Sequence, residues 1–230
     1  HLQKANEELD RFVYSASHDL RAPLTSIMGL IQLANMEGMG EQLKEYLQHM
    51  QTSANRLDNF IKDLTHFSRN ARLQVTSEPI QFEKMISELF EQYQFMDYQS
   101  PVKTYVSVEQ SDTFRTDRNR LQIALGNIIS NAMKYNLEQD EESYVKVDVK
   151  VASGQATIQI KDNGMGIDAE HHSKIFEMFY RADNHKPGSG LGLYIVKETI
   201  EKLEGTIEMV SAKGQGTQFT LVIPDLPPQA

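Results

Sequence analysis

The sequence predicts an α+β protein in two parts, a helical hairpin followed by helices laid on one face of a mixed sheet. Three observations carry that expectation. Apolar residues recur at steps of three and four from Leu2 to Phe67, as on one face of a helix. That period is lost between Asn70 and Pro79, which places a boundary between residues 1–72 and 73–230. Beyond it, helical patterns alternate with strands such as Tyr144–Ala152 and Gln155–Asp162, whose apolar and polar residues alternate strictly.

In chain order, the first helix covers residues 1–36, with Leu9, Phe12, Leu20, Leu24, Ile27 and Ile31 on its apolar face. Pro23 removes a backbone hydrogen bond there and predicts a kink between Ser17 and Leu24. Gly38-Met39-Gly40 ends this helix, and Glu41 begins a second with Leu43, Leu47, Met50, Leu57, Ile61, Leu64 and Phe67. So short a connection makes the pair antiparallel. A lone pair leaves much of its apolar stripe wet, so a twofold homodimer, a four-helix bundle, is expected. Next come a strand around Ile80, a helix from about Glu83 to Phe95, strands at Val102–Val108 and Thr113–Thr116, and a helix at Arg118–Tyr135. Glu138–Glu142 reads as a solvated acidic loop. Ser153-Gly154 turns the two alternating strands, a short helix follows the first glycine turn, and another helix runs to about Leu203. Strands at Thr206–Ser211 and Gly216–Ile223 precede a proline-rich tail.

Composition narrows the functional classes. With 230 residues there is enough chain for two cores, and 40% hydrophobic against 24% charged residues is an ordinary soluble balance. A net charge of -9 argues against a surface that tracks nucleic acid or anionic lipid, while leaving room for a small nucleotide pocket. The absence of cysteine excludes disulfides, thiolate metal sites and cysteine nucleophiles. No apolar run is long enough to cross a bilayer, and no signal-peptide pattern is visible. Because the chain opens at His1 inside a helical pattern, it reads as a fragment of a longer protein.

Two glycine-rich turns stand out, Asp162–Ile167 after a strand and Gly188–Leu193 before a helix. Glycine lets the backbone approach closely, so that successive N–H groups at a helix start converge on phosphate oxygens. Either turn alone is more often a surface turn. Two asparagines one turn apart inside a helix, Asn127 and Asn131, cost propensity, which favours a functional reason for them. His18 beside Asp19 pairs a nucleophilic imidazole with a carboxylate able to take its second proton, although a lone helical histidine is usually structural.

Taken together, five ordered segments resemble the motif set of sensor histidine kinases of two-component systems. Ser17–Leu24 is similar to the H box, Asn127–Tyr135 to the N box, Asp162–Ile167 to the first glycine box, Ile175–Arg181 to the F box and Gly188–Leu193 to the second glycine box. Gly214–Phe219 resembles the last motif of the same ATP-binding fold. The resemblance implies a dimeric hairpin bundle joined to an α/β sandwich of the gyrase type, using ATP and Mg²⁺. His18 would take the γ-phosphoryl group with Asp19 as its proton acceptor, and an aspartate on the receiver domain of a response regulator would then receive it. Asp162 would accept from the adenine amine, with Thr217 behind it, and Asn131 would be the Mg²⁺ ligand. Asn127 and Lys134 would complete the phosphate side, with Gly188, Gly190 and Gly192 presenting backbone N–H groups. Tyr135, Gly164, Gly166, Ile167, Leu191 and Leu193 complete the implied pocket. Arg181 stands equally as a phosphate contact or a surface ion pair, and Phe176 and Phe179 as packing residues.

The resemblance also has departures. Ala22 stands four positions after the histidine, where many relatives carry threonine or asparagine, which puts phosphatase activity in doubt. Asp183–Pro187 is short for a nucleotide cover, and Asn136 replaces a small hydroxyl residue. His171, His172 and His185 read as surface histidines rather than a metal site. Two rivals stay open, a serine kinase or ATPase on the same nucleotide fold and a non-catalytic dimeric scaffold. The resemblance further implies an upstream sensor domain and a cytoplasmic location for this fragment, in a full-length protein that is either soluble or membrane-anchored.

Overall fold

The computed structural model describes residues 20, 23–34, 41–72, 74–94, 102–135, 143–183 and 188–226. Residues 23–34 form helix α1, and Glu41–Arg72 form the long helix α2. Ser53 on α2 donates its hydroxyl to Ser26 on α1 at 3.4 Å, so the two helices lie side by side. Leu24, Met28, Ile31 and Leu33 of α1 and Leu47 and Ile61 of α2 stay exposed in the single chain. The short ribbon of β1 (Glu78–Pro79) and β3 (Arg115–Thr116) is antiparallel.

The remaining elements are α3 (Phe82–Gln94), β2 (Lys103–Gln110), α4 (Arg118–Lys134), β4 (Tyr144–Ala152), β5 (Gln155–Asp162), α5 (Gly192–Lys202), β6 (Thr206–Ser211) and β7 (Thr217–Pro224). The five-stranded sheet has the order β2-β4-β5-β7-β6, parallel between β2 and β4 and antiparallel elsewhere. Period-two alternation decides its faces. Val145, Val147, Ile158, Ile160, Leu221 and Ile223 are buried, whereas Lys146, Lys150, Gln159 and Glu208 are exposed. The buried face meets Ile86 of α3, Leu121, Leu125 and Ile129 of α4, and Ile200 of α5 in one core. Each such side chain contributes about 1.5–3 kcal/mol of burial, and the result is a two-layer α/β sandwich.

Asp117 caps α4 by accepting from the Arg120 N–H at 3.0 Å. The Arg120 guanidinium reaches Asp117, the Asn70 side chain at 2.9 Å and the Gln74 carbonyl at 3.2 Å. This buried knot joins the end of α2 to the start of α4.

Two expected elements are shorter than the sequence suggested. The strand expected at Thr113–Thr116 keeps only Arg115 and Thr116, because its partner β1 is itself two residues long. The short helix after the first glycine turn is a single 3₁₀ turn, Ala169–His171, with no buried residue to extend it. Several expectations fall outside the described residues: the Gly38–Gly40 turn, the acidic loop Glu138–Glu142, and His18, Asp19, Ala22, Asn136, His185 and Pro187. Of the expected kink region, Leu20, Pro23 and Leu24 are described, all helical.

Candidate functional site

The second half of α4, the turn after β5, the turn before α5 and the β6–β7 turn converge on one end of the sheet. The Tyr135 carbonyl, at the end of α4, accepts from Met165 N–H in the first glycine turn at 2.9 Å. Gly166 adopts φ +63, and a Cβ there would strike the Ala212 carbonyl, so this turn closes against the β6–β7 turn only with glycine. At the start of α5, a Cβ on Gly192 would lie 2.8 Å from Asn127 Oδ1. The second glycine turn therefore touches the asparagine face of α4.

Asp162 ends β5 with only 8% of its surface exposed. Its Oδ1 accepts from Gly164 N–H at 2.8 Å and from Thr217 N–H at 3.2 Å. Burial pushes its carboxyl up to about 6, and those two N–H groups offset only part of the rise. Oδ2 makes no hydrogen bond among the described residues, so it is the acceptor the site offers to a ligand. Behind it, the Thr217 hydroxyl pairs with Ser211 Oγ at 2.9 Å, and Ser211 also accepts from Ile167 N–H at 2.8 Å. The sequence reading missed Ser211, whose only signal is its place beside the final glycine turn.

On α4, Asn127 donates its amide to the Ile123 carbonyl at 2.9 Å, which leaves its oxygen toward Gly192. Asn131 lies one turn further on, half-buried, and its side chain makes no hydrogen bond among the described residues. Lys134 donates to the Tyr135 hydroxyl at 3.4 Å and stands 4.8 Å from that ring's centroid, and a Cβ on Gly188 would lie 3.2 Å from its Nζ. Burial raises the Tyr135 hydroxyl above its usual range. Arg181 donates to the Asp183 carbonyl at 3.3 Å.

Some implied pocket residues serve packing instead. The Leu191 side chain is fully buried with Phe60 and Ile195, and Leu193 packs against the main core. Leu191 therefore offers a ligand only its backbone, whereas the Leu193 side chain is half-buried. Phe176 meets Phe219 edge-on at 6.4 Å, and Phe179 joins the cluster around Phe60, as packing residues should. His171 bonds the Tyr180 hydroxyl at 2.7 Å and His172 the Ile167 carbonyl at 3.0 Å. No group of three or more His, Cys, Asp or Glu among the described residues is arranged to hold a metal. The amide oxygen of Asn131 still fits Mg²⁺, which takes few protein ligands when phosphate oxygens and water fill its octahedron.

A half-satisfied carboxylate beside two glycine turns, one of them at a helix start, makes the end of this sheet a candidate nucleotide pocket, in a domain joined to a helical hairpin. Residues 116–227 match the histidine kinase-, DNA gyrase B- and HSP90-like ATPase family, and residues 8–72 match the His Kinase A (phospho-acceptor) domain. The chain belongs to the sensor histidine kinases of two-component systems. It is 33% identical over 234 residues to the sensor protein kinase WalK of Staphylococcus haemolyticus, covering 96% of this chain and 38% of that protein. The methanogenesis regulatory histidine kinase FilI of Methanothrix harundinacea is 30% identical over 228 residues, covering 97% of this chain and 25% of that protein. The chain thus spans well under half the length of these curated relatives. Among solved structures, the Acinetobacter baumannii histidine kinase AdeS superposes with a TM-score of 0.68 at 25% identity, covering 90% of this chain and 98% of that one. The histidine kinase ThkA, solved in complex with the response regulator TrrA, shares the fold with a TM-score of 0.76 at 19% identity, over 97% of this chain and 64% of that one.

Proposed function

We propose that this chain is the catalytic core of an ATP-dependent protein histidine kinase, with residues 1–72 as dimerisation and phospho-acceptor unit and 73–230 as ATP-binding unit. One observation carries the nucleotide assignment: Asp162, at the end of β5, has one oxygen held by two N–H groups and the other left without a hydrogen bond among the described residues, open to a ligand. An adenine amine donates to that oxygen, whereas a guanine carbonyl would meet it as a second acceptor. The phosphates then lie toward Asn127, Asn131, Lys134, Arg181 and the N–H groups at Gly188, Gly190 and Gly192. Asn131 would hold Mg²⁺, which supplies charge neutralisation to the transferred phosphoryl group.

His18 attacks the γ-phosphorus through one ring nitrogen as the bond to the bridging oxygen breaks and ADP leaves. Asp19 accepts the proton of the other nitrogen. The phosphohistidine then passes its phosphoryl group to an aspartate of a response-regulator receiver domain, docked on the helices around His18. The exposed row of Leu24, Met28, Ile31, Leu47 and Ile61 supports a homodimer through the hairpin, since this much apolar surface on two helices is otherwise left in water. Ala22 leaves no polar side chain to position water for phosphatase chemistry. An upstream sensor domain would regulate the core, consistent with the much greater length of the relatives. ATP places the core in the cytoplasm, whether the full-length protein is soluble or membrane-anchored. Among the described residues no helix is long and apolar enough to cross a membrane.

Incubation with Mg²⁺ and γ-labelled ATP tests the reaction. Acid-labile label is expected on the chain, absent in His18→Ala and chased onto an added receiver domain. Label that persists in His18→Ala, or that survives acid, would overturn the assignment.

A further inference from the structure

Away from the adenine end, the second glycine turn is fastened to the helical hairpin. Ser189 donates its hydroxyl to Asp63 on α2 at 2.6 Å and accepts from Leu191 N–H at 3.2 Å, where α5 starts. The hydroxyl therefore relays an unsatisfied N–H at a helix N-terminus to a carboxylate 126 positions away in sequence. Around this bond Phe60 of α2 meets Leu191 and Ile195, and Phe67 stands 5.8 Å from the Tyr194 ring. Burial there raises the Asp63 carboxyl, while the Ser189 bond and the charges of His66 and Lys134 draw it back. Lys134 also lies against Gly188. A negative group thus serves the very corner, helix start plus lysine, to which the proposed function assigns phosphate.

We propose that Asp63 is a nucleotide-sensitive latch, its carboxylate standing in for phosphate at the start of α5 and holding the second glycine turn against α2 until nucleotide phosphates displace it. The inference rests on the ATP-binding reading. Two anions served by one helix start and one lysine repel each other, so occupation by phosphate weakens the Asp63–Ser189 bond. Reciprocity then requires the latch to weaken nucleotide binding by the same factor. The apolar contact between Phe60 and Leu191 carries no charge and responds only through this bond. Asp63 is a positioning residue, acting on the nucleotide through Ser189 and the turn.

The lack of cysteine allows clean spin labelling of the whole chain at exposed positions on either side, Asn59→Cys on α2 and Lys202→Cys on α5, diluted with unlabelled chain to isolate distances within one protomer. In the otherwise wild-type protein, a narrow distance distribution is expected without nucleotide, and a longer, broader one with saturating Mg²⁺ and a non-hydrolysable ATP analogue. Asp63→Asn keeps an oxygen for Ser189 but no charge, so its narrow distribution should persist with nucleotide, and calorimetry should show affinity raised about 5- to 10-fold. Ser189→Ala should give the broad distribution with or without nucleotide. A wild-type distribution that does not change although calorimetry shows nucleotide bound would overturn the latch alone, as would an Asp63→Asn chain that opens like the wild type. Failure of the wild type to bind the analogue at all would remove the ATP-binding reading and the latch with it.

Discussion

Two carboxylates are buried almost equally, Asp117 at the start of α4 with 3% exposure and Asp162 at the end of β5 with 8%, yet they titrate in opposite directions. Burial raises both. At Asp117 it is outweighed by the Arg120 and Thr76 N–H groups and by the Arg120 guanidinium, which engage both oxygens and bring the carboxyl below its usual value. At Asp162 the two N–H groups share a single oxygen and no cation is among the causes acting on it, so burial prevails. A buried carboxylate whose donors are complete is architecture. One left with an acceptor to spare costs stability, and a ligand that brings the missing donor recovers it.

The comparison breaks most sharply at Arg120. Arg120→Met strands the Asp117 charge in the core and should cost about 3–5 kcal/mol in a denaturant melt. Asp162→Asn should do the reverse to the fold. Its amide oxygen keeps both N–H bonds without a charge to bury, so thermal stability at pH 7 should equal or exceed the wild type. Its NH₂ then confronts the adenine amine, donor against donor, and calorimetry should show nucleotide affinity lowered by about 100-fold, or ~3 kcal/mol. Unchanged affinity would detach Asp162 from adenine recognition.

Acidity gives the smallest effect and the cleanest difference of sign. The Asp162 carboxyl is raised, so its contribution to stability is full below the ordinary value of 3.8 and is lost as pH rises toward about 6. That of Asp117, lowered in the fold, is present above 3.8 and lost as pH falls through its depressed value. Nucleotide binding favours the ionised Asp162. Affinity should fall by up to about tenfold per unit on acidification below about 6. Calorimetry on wild type and Asp162→Asn across that range would isolate the effect, since the titration of the nucleotide's own phosphates is common to both.

Much of this was legible before the structure. Strands β4, β5 and β6 have the expected bounds because each buries one face, and a slip of one residue would turn every valine of Tyr144–Ala152 outward. Asp162, Thr217 and Gly166 were named through the resemblance of their motifs, and the structure brings them to one end of the sheet although Asp162 and Thr217 lie 55 positions apart. The Arg120 knot and the Asp63–Ser189 bond were not. Neither Arg120 nor Asp63 breaks a helical pattern, and each reads as an ordinary exposed charge until its partner is known.

The sequence by itself determined the order of the elements, the faces they bury and the residue types that converge on the site, because periodicity and backbone freedom are properties of short stretches. Only the tertiary structure decided which acidic groups are completed and which are left wanting. Burial and donor count belong to the space between segments, and segments as distant as Asp63 and Ser189 share that space only once the chain has folded.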